Sequence, residues 1–384
     1  MTPPRIALAE PSLGHREREY LAECIDTNMV SSVGPFVAAF EKSFAERVRA
    51  PHAVACSSGT AALHVAMLVC GARTGASVPV STLTFIASAN AIAYTGAEPL
   101  FVDSATDAWN LDTEVLYDHV VALAQRGASL PTVLQPVHIL GYPADLEPLV
   151  ALRDHYGIRI VEDAAEAVGA EYASGNLAGR QVGTIGDIGC YSFNGNKVIT
   201  TGGGGMIVTA DSDLADHARH LANQARRPEP GYVHDAIGFN YRMTNVSAAI
   251  GLAQLEQLRT FLQRKRAIAR RYAEAFATNE AIEWPSQPDW ACPSYWLSSV
   301  LFRDRATRDA VLVALERNSV EARPLWRPLH CQAPYARSPR LGGERAELLH
   351  ARGVSLPSSV SLAPSDQERV IEIVDAVLAR GACS

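Results

Sequence analysis

The 384-residue sequence lacks the patterns expected of a membrane protein or a nucleic-acid-binding protein. It has no run of about 18 apolar residues, the length that spans a bilayer. Its first residues, MTPPRIALAEPSLG, lack the charged start and the apolar run of a secretory leader. With a formal net charge of −7, the chain has no excess of positive charge, which binding to a phosphate backbone requires. We therefore expect a cytoplasmic protein that binds neither membrane nor nucleic acid.

The cysteines and histidines lack the spacing of a metal site or of a disulfide framework. The seven cysteines are odd in number, and no C-x-x-C or H-x-x-x-H pair occurs. We expect no metal, and we expect reduced cysteines that serve mostly as small core residues. The cysteines are Cys24, Cys56, Cys70, Cys190, Cys292, Cys331 and Cys383.

Short apolar runs recur between about residues 53 and 210, separated by turns and helical patterns. The runs are AVAC (53–56), VPVS (78–81), PLFV (99–102), VLQPV (133–137), IRIV (158–161), GCYSF (189–193) and GMIVT (205–209). Runs that are apolar on both faces are typical of a parallel sheet covered by helices. We predict an α/β fold with a mostly parallel seven-stranded sheet in residues 1–250, and a smaller α+β domain in residues 251–384.

Ligands of an open α/β sheet bind beyond the carboxyl ends of its strands, so the residues that follow these runs are candidate site residues. Gly59 and Thr60 begin a helix in CSSGTAAL, which predicts either an anion site or an ordinary helix cap. Asp163 follows the run IRIV and needs a partner if it is buried, either a helix N-terminus or a protonated ring nitrogen.

Two further strand ends carry an amine and an aromatic ring. Ser192 and Lys197 lie in SFNGNKVITTGGGGM, which is either a surface hairpin or, if the lysine is enclosed, the position of a nucleophile. Phe85, in STLTFIASAN, is either a core residue or a ring that stacks on a cofactor. An amine, an acid, a phosphate cradle and a flat ring together match the requirements of pyridoxal phosphate.

The motifs SSGTAAL, TFIASANAI, VEDAAEAVGA, SFNGNKVITTGGGGM and GFNYRMTNVSAAIGLAQLEQL are similar to those of a known family. The chain resembles the DegT/DnrJ/EryC1/StrS family of pyridoxal-phosphate-dependent nucleotide-sugar aminotransferases. The resemblance implies fold type I, which is the fold of aspartate aminotransferase. It also implies a homodimer with active sites shared between its subunits.

The resemblance also implies a role for each matching residue. Lys197 would form the Schiff base with the cofactor, and Asp163 would pair with its ring nitrogen. The other cofactor contacts would come from Gly59, Thr60, Phe85, Glu166 and Ser192, with Asn240 reaching in from the other subunit. The cofactor would alternate between pyridoxal phosphate and pyridoxamine phosphate. Lys197 favours the transaminases of the family over its dehydratases, in which histidine replaces this lysine.

The resemblance further implies transfer of an amino group from glutamate to the C4 ketone of a nucleotide-linked sugar. The motifs NMVSSVGPFV and EARPLWRPLH favour a UDP-4-keto-6-deoxy-N-acetylhexosamine of the legionaminic-acid type. An enzyme of the GDP-perosamine synthase type, a 3-keto sugar aminotransferase and a non-catalytic regulator are the alternatives. The expected substrate contacts are Ser32, Glu166, Arg242, Arg323 and His330, with Arg226 as a further candidate for the diphosphate.

Overall fold

The structure is a computed structural model and describes residues 4–106 and 109–381. The α-helices in these residues are α1 (His15–Asp26), α2 (Pro35–Val48), α3 (Gly59–Val69), α4 (Ala87–Tyr94), α5 (Thr113–Gln125), α6 (Glu147–Tyr156), α7 (Ser212–Ala222), α8 (Asn245–Phe276), α9 (Arg305–Arg317), α10 (Glu344–Arg352) and α11 (Pro364–Gly381). Short 3-10 segments lie at Ile139–Gly141, Leu329–Cys331 and Ala333–Tyr335.

The strands alternate with these helices along the chain. They are β1 (His52–Cys56), β2 (Ser77–Ser81), β3 (Glu98–Val102), β4 (Val133–Leu134), β5 (Arg159–Asp163), β6 (Glu171–Tyr172), β7 (Ile188–Ser192), β8 (Gly205–Thr209), β9 (Ile282–Glu283), β10 (Ala291–Cys292), β11 (Ser298–Phe302), β12 (Arg323–Pro324), β13 (Arg340–Leu341) and β14 (Gly353–Leu356).

The central sheet contains all seven predicted strands and is mostly parallel. Its strands pair in the order β1-β8-β7-β5-β4, and β2 pairs with β3, which pairs with β13. A single bridge between Val80 and Gln135 joins these two groups of strands. Strand β8 runs antiparallel to both of its neighbours, whereas β4, β5 and β7 run parallel, as do β2, β3 and β13. The predicted strand pattern is confirmed.

The sheet has an apolar core on each face because successive side chains of a strand point to opposite sides. In β1, Ala53 and Ala55 face one core, whereas Val54 and Cys56 face the other. Helix α3 is buried around most of its circumference, since it packs on the sheet and also against α4 and α7. The apolar runs of the sequence therefore correspond to strands that are covered on both sides.

Several helices begin at a residue whose side chain caps the first turn. Ser58 accepts a hydrogen bond from the amide of Ala61 and so starts α3. Asp112, Thr244 and Asp304 cap α5, α8 and α9 in the same way. These caps satisfy amide groups that have no partner within their own helix. The cap of α3 is the one that matters for the site, because this helix begins at a strand end.

Helix α8 links the central sheet to a third core in the C-terminal part of the chain. Its side chains as far as Leu262 pack into the core of the sheet, and those from Ile268 onward pack against β11, β14 and α11. The helix is continuous through residue 250. The division into residues 1–250 and 251–384 therefore stays a proposal.

None of the helices in the described residues is long and apolar enough to cross a bilayer. The cysteines of these residues are free thiols, as predicted, and Cys24, Cys56, Cys70 and Cys190 are buried. Cys383 lies outside the described residues.

Glu162, in β5, connects the loop of residues 181–186 to the sheet through hydrogen bonds. Its side chain is fully buried and accepts hydrogen bonds from the amides of Gly183, Ile185 and Gly186 at 2.6–2.7 Å. His138 Nε2 lies 3.0 Å from the same carboxylate. A buried carboxylate with this many donors stabilises the loop, because each of these donors would otherwise be buried without a partner.

Replacing Glu162 with alanine is expected to lower the free energy of unfolding by about 3–5 kcal/mol, because it leaves buried donors without an acceptor. Urea titration of the variant measures this change. Glu98→Ala, which removes an exposed carboxylate, is the control and is expected to stay within about 0.5 kcal/mol of the parent. A loss below about 1 kcal/mol in Glu162→Ala would show that water replaces the carboxylate.

Candidate active site

A cavity of about 500 Å³ opens at the carboxyl ends of the central strands. This volume lies within the range of small-molecule sites. The lining includes Ser58, Gly59, Thr60, Phe85, Asp163, Glu166, Ser192, Lys197, Gly203, Gly204, Trp296, Arg323 and Trp326. Eight of the residues predicted from the sequence are therefore brought to one cavity.

Lys197 follows β7 and lies largely enclosed, with 12% of its side chain exposed. Its Nζ is 3.6 Å from Glu166 Oε1 and 3.8 Å from the centre of the Trp296 ring. The indole nitrogen of Trp296 donates a hydrogen bond of 2.6 Å to the carbonyl oxygen of Asn196, the residue before the lysine. The lysine thus lies between a carboxylate and an aromatic face, and the surface-hairpin alternative does not apply.

Asp163 ends β5 and is buried beside the lysine. Its carboxylate accepts a hydrogen bond of 2.7 Å from Ser88 Oγ and one of 3.1 Å from the amide of Ala165. Burial raises the pKa of Asp163, although these hydrogen bonds and the nearby Lys197 oppose the shift. A positive partner in the cavity would stabilise the ionised acid.

Glu166 is a second buried acid next to Lys197. Its Oε2 accepts a hydrogen bond of 2.7 Å from the amide of Leu140, and its Oε1 faces the lysine. Burial raises the pKa of Glu166, with the lysine opposing that shift. Leu140 has a φ of +56°, a conformation that is uncommon for a residue with a side chain. The hydrogen bond from Leu140 to the Glu166 carboxylate therefore stabilises this uncommon backbone conformation next to the cavity.

The start of α3 forms a cradle for an anion. The amides of Gly59 and Thr60 belong to the first turn, where no partner exists within the helix and the helix dipole is positive. A Cβ atom at position 59 would lie 2.7 Å from Ser192 Cβ, so glycine is required for this close approach. A Cβ atom at Gly205 would lie 2.4 Å from the carbonyl oxygen of Ser58. The last glycine of GGGG thus allows β8 to pass directly beneath the cradle.

Four predicted residues do not line this cavity. Asn240 is exposed, and Arg242 donates a hydrogen bond of 2.5 Å to the carbonyl oxygen of Ser32 on the surface. His330 is buried, with Nδ1 at 2.6 Å from Thr82 Oγ1 and Nε2 at 3.1 Å from a Glu347 oxygen. Their roles as contacts stay predictions. The further candidate Arg226 lies 4.1 Å from the centre of the Tyr232 ring.

Sequence reasoning missed three residues of the site. Ser88 lies one helical turn beyond Thr84 and reaches Asp163, so the serine in TFIASAN was the available signal. Trp296 and Trp326 come from distant parts of the chain and stack with their ring centres 6.0 Å apart. Nothing in their local sequence places them in the cavity that holds Lys197.

The residues present fit a phosphorylated aromatic aldehyde. The amine of Lys197 can bond an aldehyde, and the first turn of α3 can hold a phosphate. The buried acid Asp163 gains most from a positively charged ring nitrogen. Phe85 keeps 54% of its surface exposed at the cavity, which leaves its ring free to stack on a ligand.

Comparisons with known proteins agree with this fit. The model of the DegT/DnrJ/EryC1/StrS aminotransferase family matches residues 11–375. GDP-perosamine synthase of Escherichia coli O157:H7 is 40% identical, over 97% of both chains. GDP-perosamine synthase of Caulobacter vibrioides is 39% identical, over 98% of this chain and 99% of the relative. EpsN of Bacillus subtilis is 38% identical, over 96% of this chain and 95% of the relative.

Solved structures show the same architecture. The aminotransferase TlmJ from Streptoalloteichus hindustanus superposes with a TM-score of 0.89 and 31% identity, over 98% of this chain and all of that one. DesV from S. venezuelae superposes with a TM-score of 0.85 and 31% identity, over 94% of each chain. The prediction of fold type I is confirmed.

Proposed function

The chain belongs to the DegT/DnrJ/EryC1/StrS aminotransferase family and is a pyridoxal-phosphate-dependent sugar aminotransferase, and we propose that it aminates C4 of a nucleotide-linked 4-keto-6-deoxy sugar. We propose glutamate as the amino donor. The observation that carries the proposal is the enclosed amine of Lys197 between Glu166 and Trp296, in the same cavity as Asp163 and the start of α3.

Each residue of the cavity has a proposed task. Bound pyridoxal phosphate supplies an aldehyde and an electron-withdrawing ring, which is the chemistry that amino transfer requires. Lys197 would hold the aldehyde of the cofactor and would then move a proton to and from the sugar C4. Asp163 would pair with the ring nitrogen, and Gly59, Thr60 and Ser192 would hold the phosphate. Glu166 would keep the lysine in place while the amino donor leaves the cavity and the sugar enters it.

Two nucleotides are candidates for the group that is attached to the sugar substrate. A GDP-linked sugar is favoured by the relatives named GDP-perosamine synthase, which reach 40% identity. A UDP-linked N-acetylhexosamine is favoured by the motifs NMVSSVGPFV and EARPLWRPLH. Arg323 lines the cavity and is exposed, so it is the cation that we propose for the diphosphate.

A panel of GDP-, UDP- and dTDP-linked 4-keto and 3-keto sugars, incubated with the purified protein and glutamate, tests this proposal by mass spectrometry. We expect an aminated product from one 4-keto nucleotide sugar, together with bleaching of the yellow cofactor colour by glutamate alone. Bleaching without a sugar product would support transaminase activity and would show that none of the sugars in the panel is the substrate. An absence of both would indicate the non-catalytic alternative.

We propose that the protein acts as a homodimer, because two neighbouring surface segments expose apolar side chains. The segments, residues 29–33 and 232–242, are joined by the hydrogen bond from Arg242 to Ser32. The exposed apolar side chains are Met29, Val30, Val33, Tyr232, Val233 and Ile237. Large apolar patches exposed on a protein surface are typical of protein interfaces. The family resemblance implies that Asn240, which lies in the second segment, reaches the active site of the other subunit.

Replacing Ile237, which is 87% exposed, with aspartate is expected to weaken the dimer by about 30-fold or more, since it places an unpaired charge in an apolar contact. Light scattering across a dilution series measures the shift from dimer to monomer. Val313→Asp, at an exposed apolar position on α9, is the control and is expected to leave the dimer unchanged. Equal behaviour of both variants would remove this patch from the interface.

A further inference from the structure

Lys265 is a buried amine that the proposed chemistry leaves unexplained. The chain contains only three lysines, Lys42, Lys197 and Lys265. Lys265 lies within α8, and only 3% of its surface is exposed. Its Nζ donates hydrogen bonds of 2.9 Å to the carbonyl oxygen of Trp296 and 2.7 Å to that of Ser358. Lysine is rarely buried so completely, so this position calls for an explanation.

The two carbonyl groups belong to different segments that meet beside α8. Trp296 precedes β11, and Ser358 follows β14. The Ser358 hydroxyl accepts a hydrogen bond of 2.9 Å from the amide of Ser298, so the two segments are also joined directly. Lys265 therefore fixes the backbone of Trp296 relative to α8, whose side chains as far as Leu262 pack into the core of the central sheet.

Trp296 in turn contacts the reactive lysine and the residue before it. Its ring lies 3.8 Å from Lys197 Nζ, and its indole nitrogen bonds the carbonyl oxygen of Asn196 at 2.6 Å. A chain of direct contacts thus runs from Lys265 Nζ through the backbone and ring of Trp296 to Lys197. A displacement of the Trp296 backbone would change both the backbone and the amine position of the lysine.

The protonation of Lys265 is consistent with this task. Burial lowers the pKa of Lys265 to about 7. A neutral amine has two N–H groups, which match the two carbonyl acceptors. Lys265 can therefore hold both segments without an acidic partner.

We propose that Lys265 is a positioning residue for Lys197 and acts through Trp296. This inference rests on the proposed role of Lys197. A catalytic amine must lie within tenths of an ångström of its working position, and a displacement of about 1 Å can lower a rate about 100-fold. The effect should therefore appear in the reaction of Lys197 with the cofactor aldehyde, before any sugar binds.

The test compares Lys265→Met with the parent in the uptake of pyridoxal phosphate by apo-protein. Borohydride reduction followed by peptide mapping locates the covalent adduct on one of the three lysines. We expect adduct formation at Lys197 to slow by about 10- to 100-fold, and kcat to fall similarly, with KM for the nucleotide sugar within about threefold.

Tyr272→Phe is the matched control. The Tyr272 hydroxyl lies two helical turns further along α8, is buried and donates a hydrogen bond of 3.1 Å to the carbonyl oxygen of Pro357. This variant removes a buried donor to the same segment without touching Trp296, so we expect a lower melting temperature and an unchanged rate of adduct formation. Equal slowing in both variants would show a general structural effect and overturn the proposal.

A double-mutant cycle with Trp296→Phe tests the route through the tryptophan. If Lys265 acts through Trp296, the slowing in the double variant will be smaller than the product of the single effects. Independent, multiplying effects would overturn the proposed route. An adduct that forms on Lys42 or Lys265 in the parent protein would instead reject the proposed role of Lys197, so the two failures are distinguishable.

Discussion

Replacing Lys197 with alanine is expected to lower kcat by about 10⁴-fold or more. The amine supplies both the bond to the cofactor aldehyde and the proton transfer at the sugar C4, and positioned proton transfer alone contributes about 10²–10⁴-fold. The variant should still bind pyridoxamine phosphate, because the start of α3 and Asp163 are unchanged. Product formation from glutamate and the nucleotide sugar, followed by mass spectrometry, measures the loss.

Lys42→Ala is the control for this experiment, because Lys42 is an exposed lysine on α2. It is expected to retain full turnover. A Lys197→Ala variant that keeps more than about a tenth of the parent activity would reject the assignment of the lysine. A variant that loses its melting transition would be replaced by Lys197→Arg, which keeps the positive charge beside Glu166.

Replacing Asp163 with asparagine is expected to lower kcat by about 10³-fold. Removing one member of a buried charge pair costs about 3–5 kcal/mol, and 1.36 kcal/mol corresponds to a factor of ten. Asparagine has nearly the same shape and can still accept the hydrogen bond from the amide of Ala165. The loss should therefore appear in turnover with glutamate rather than in folding.

The stability of the cofactor-free protein provides a second measurement on the same variant. The pKa of Asp163 is raised in the folded chain, so its contribution to stability is complete below its unfolded pKa and is lost as the pH rises through the folded pKa. We expect apo Asp163→Asn to melt above the apo parent at pH 7, with the difference shrinking near pH 4. Asp187→Asn is the control, since Asp187 caps the amide of Ile160 away from the cavity. Unchanged turnover in Asp163→Asn would reject the acid as the ring partner.

The sequence alone was sufficient to predict the sheet and the residues at its strand ends. Apolar runs report burial on both faces, and the carboxyl ends of parallel strands meet at one edge. Gly59, Asp163, Ser192 and Lys197 were therefore predictable as neighbours. Their close approach depends on local geometry, which the glycines of SSGT and GGGG already indicate.

Contacts formed by distant segments could not be predicted in this way. Trp296 reaches Lys197 because α8 and β11 hold it there, and no local pattern reports that packing. His330 was expected in the substrate site because a histidine in RPLH is a plausible anion contact. In the structure, one ring nitrogen is hydrogen-bonded to the Thr82 hydroxyl and the other lies 3.1 Å from a Glu347 carboxylate oxygen, and its role as a substrate contact stays a prediction.

The 32-residue helix α8 restricts how this enzyme can close around a large substrate. At 1.5 Å per residue the helix is about 48 Å long, and it carries side chains of both the sheet core and the C-terminal core. A hinge within it would break backbone hydrogen bonds, so bending there is disfavoured. We therefore expect the C-terminal region and the whole of α8 to move together as one rigid body, by sliding or tilting against the sheet.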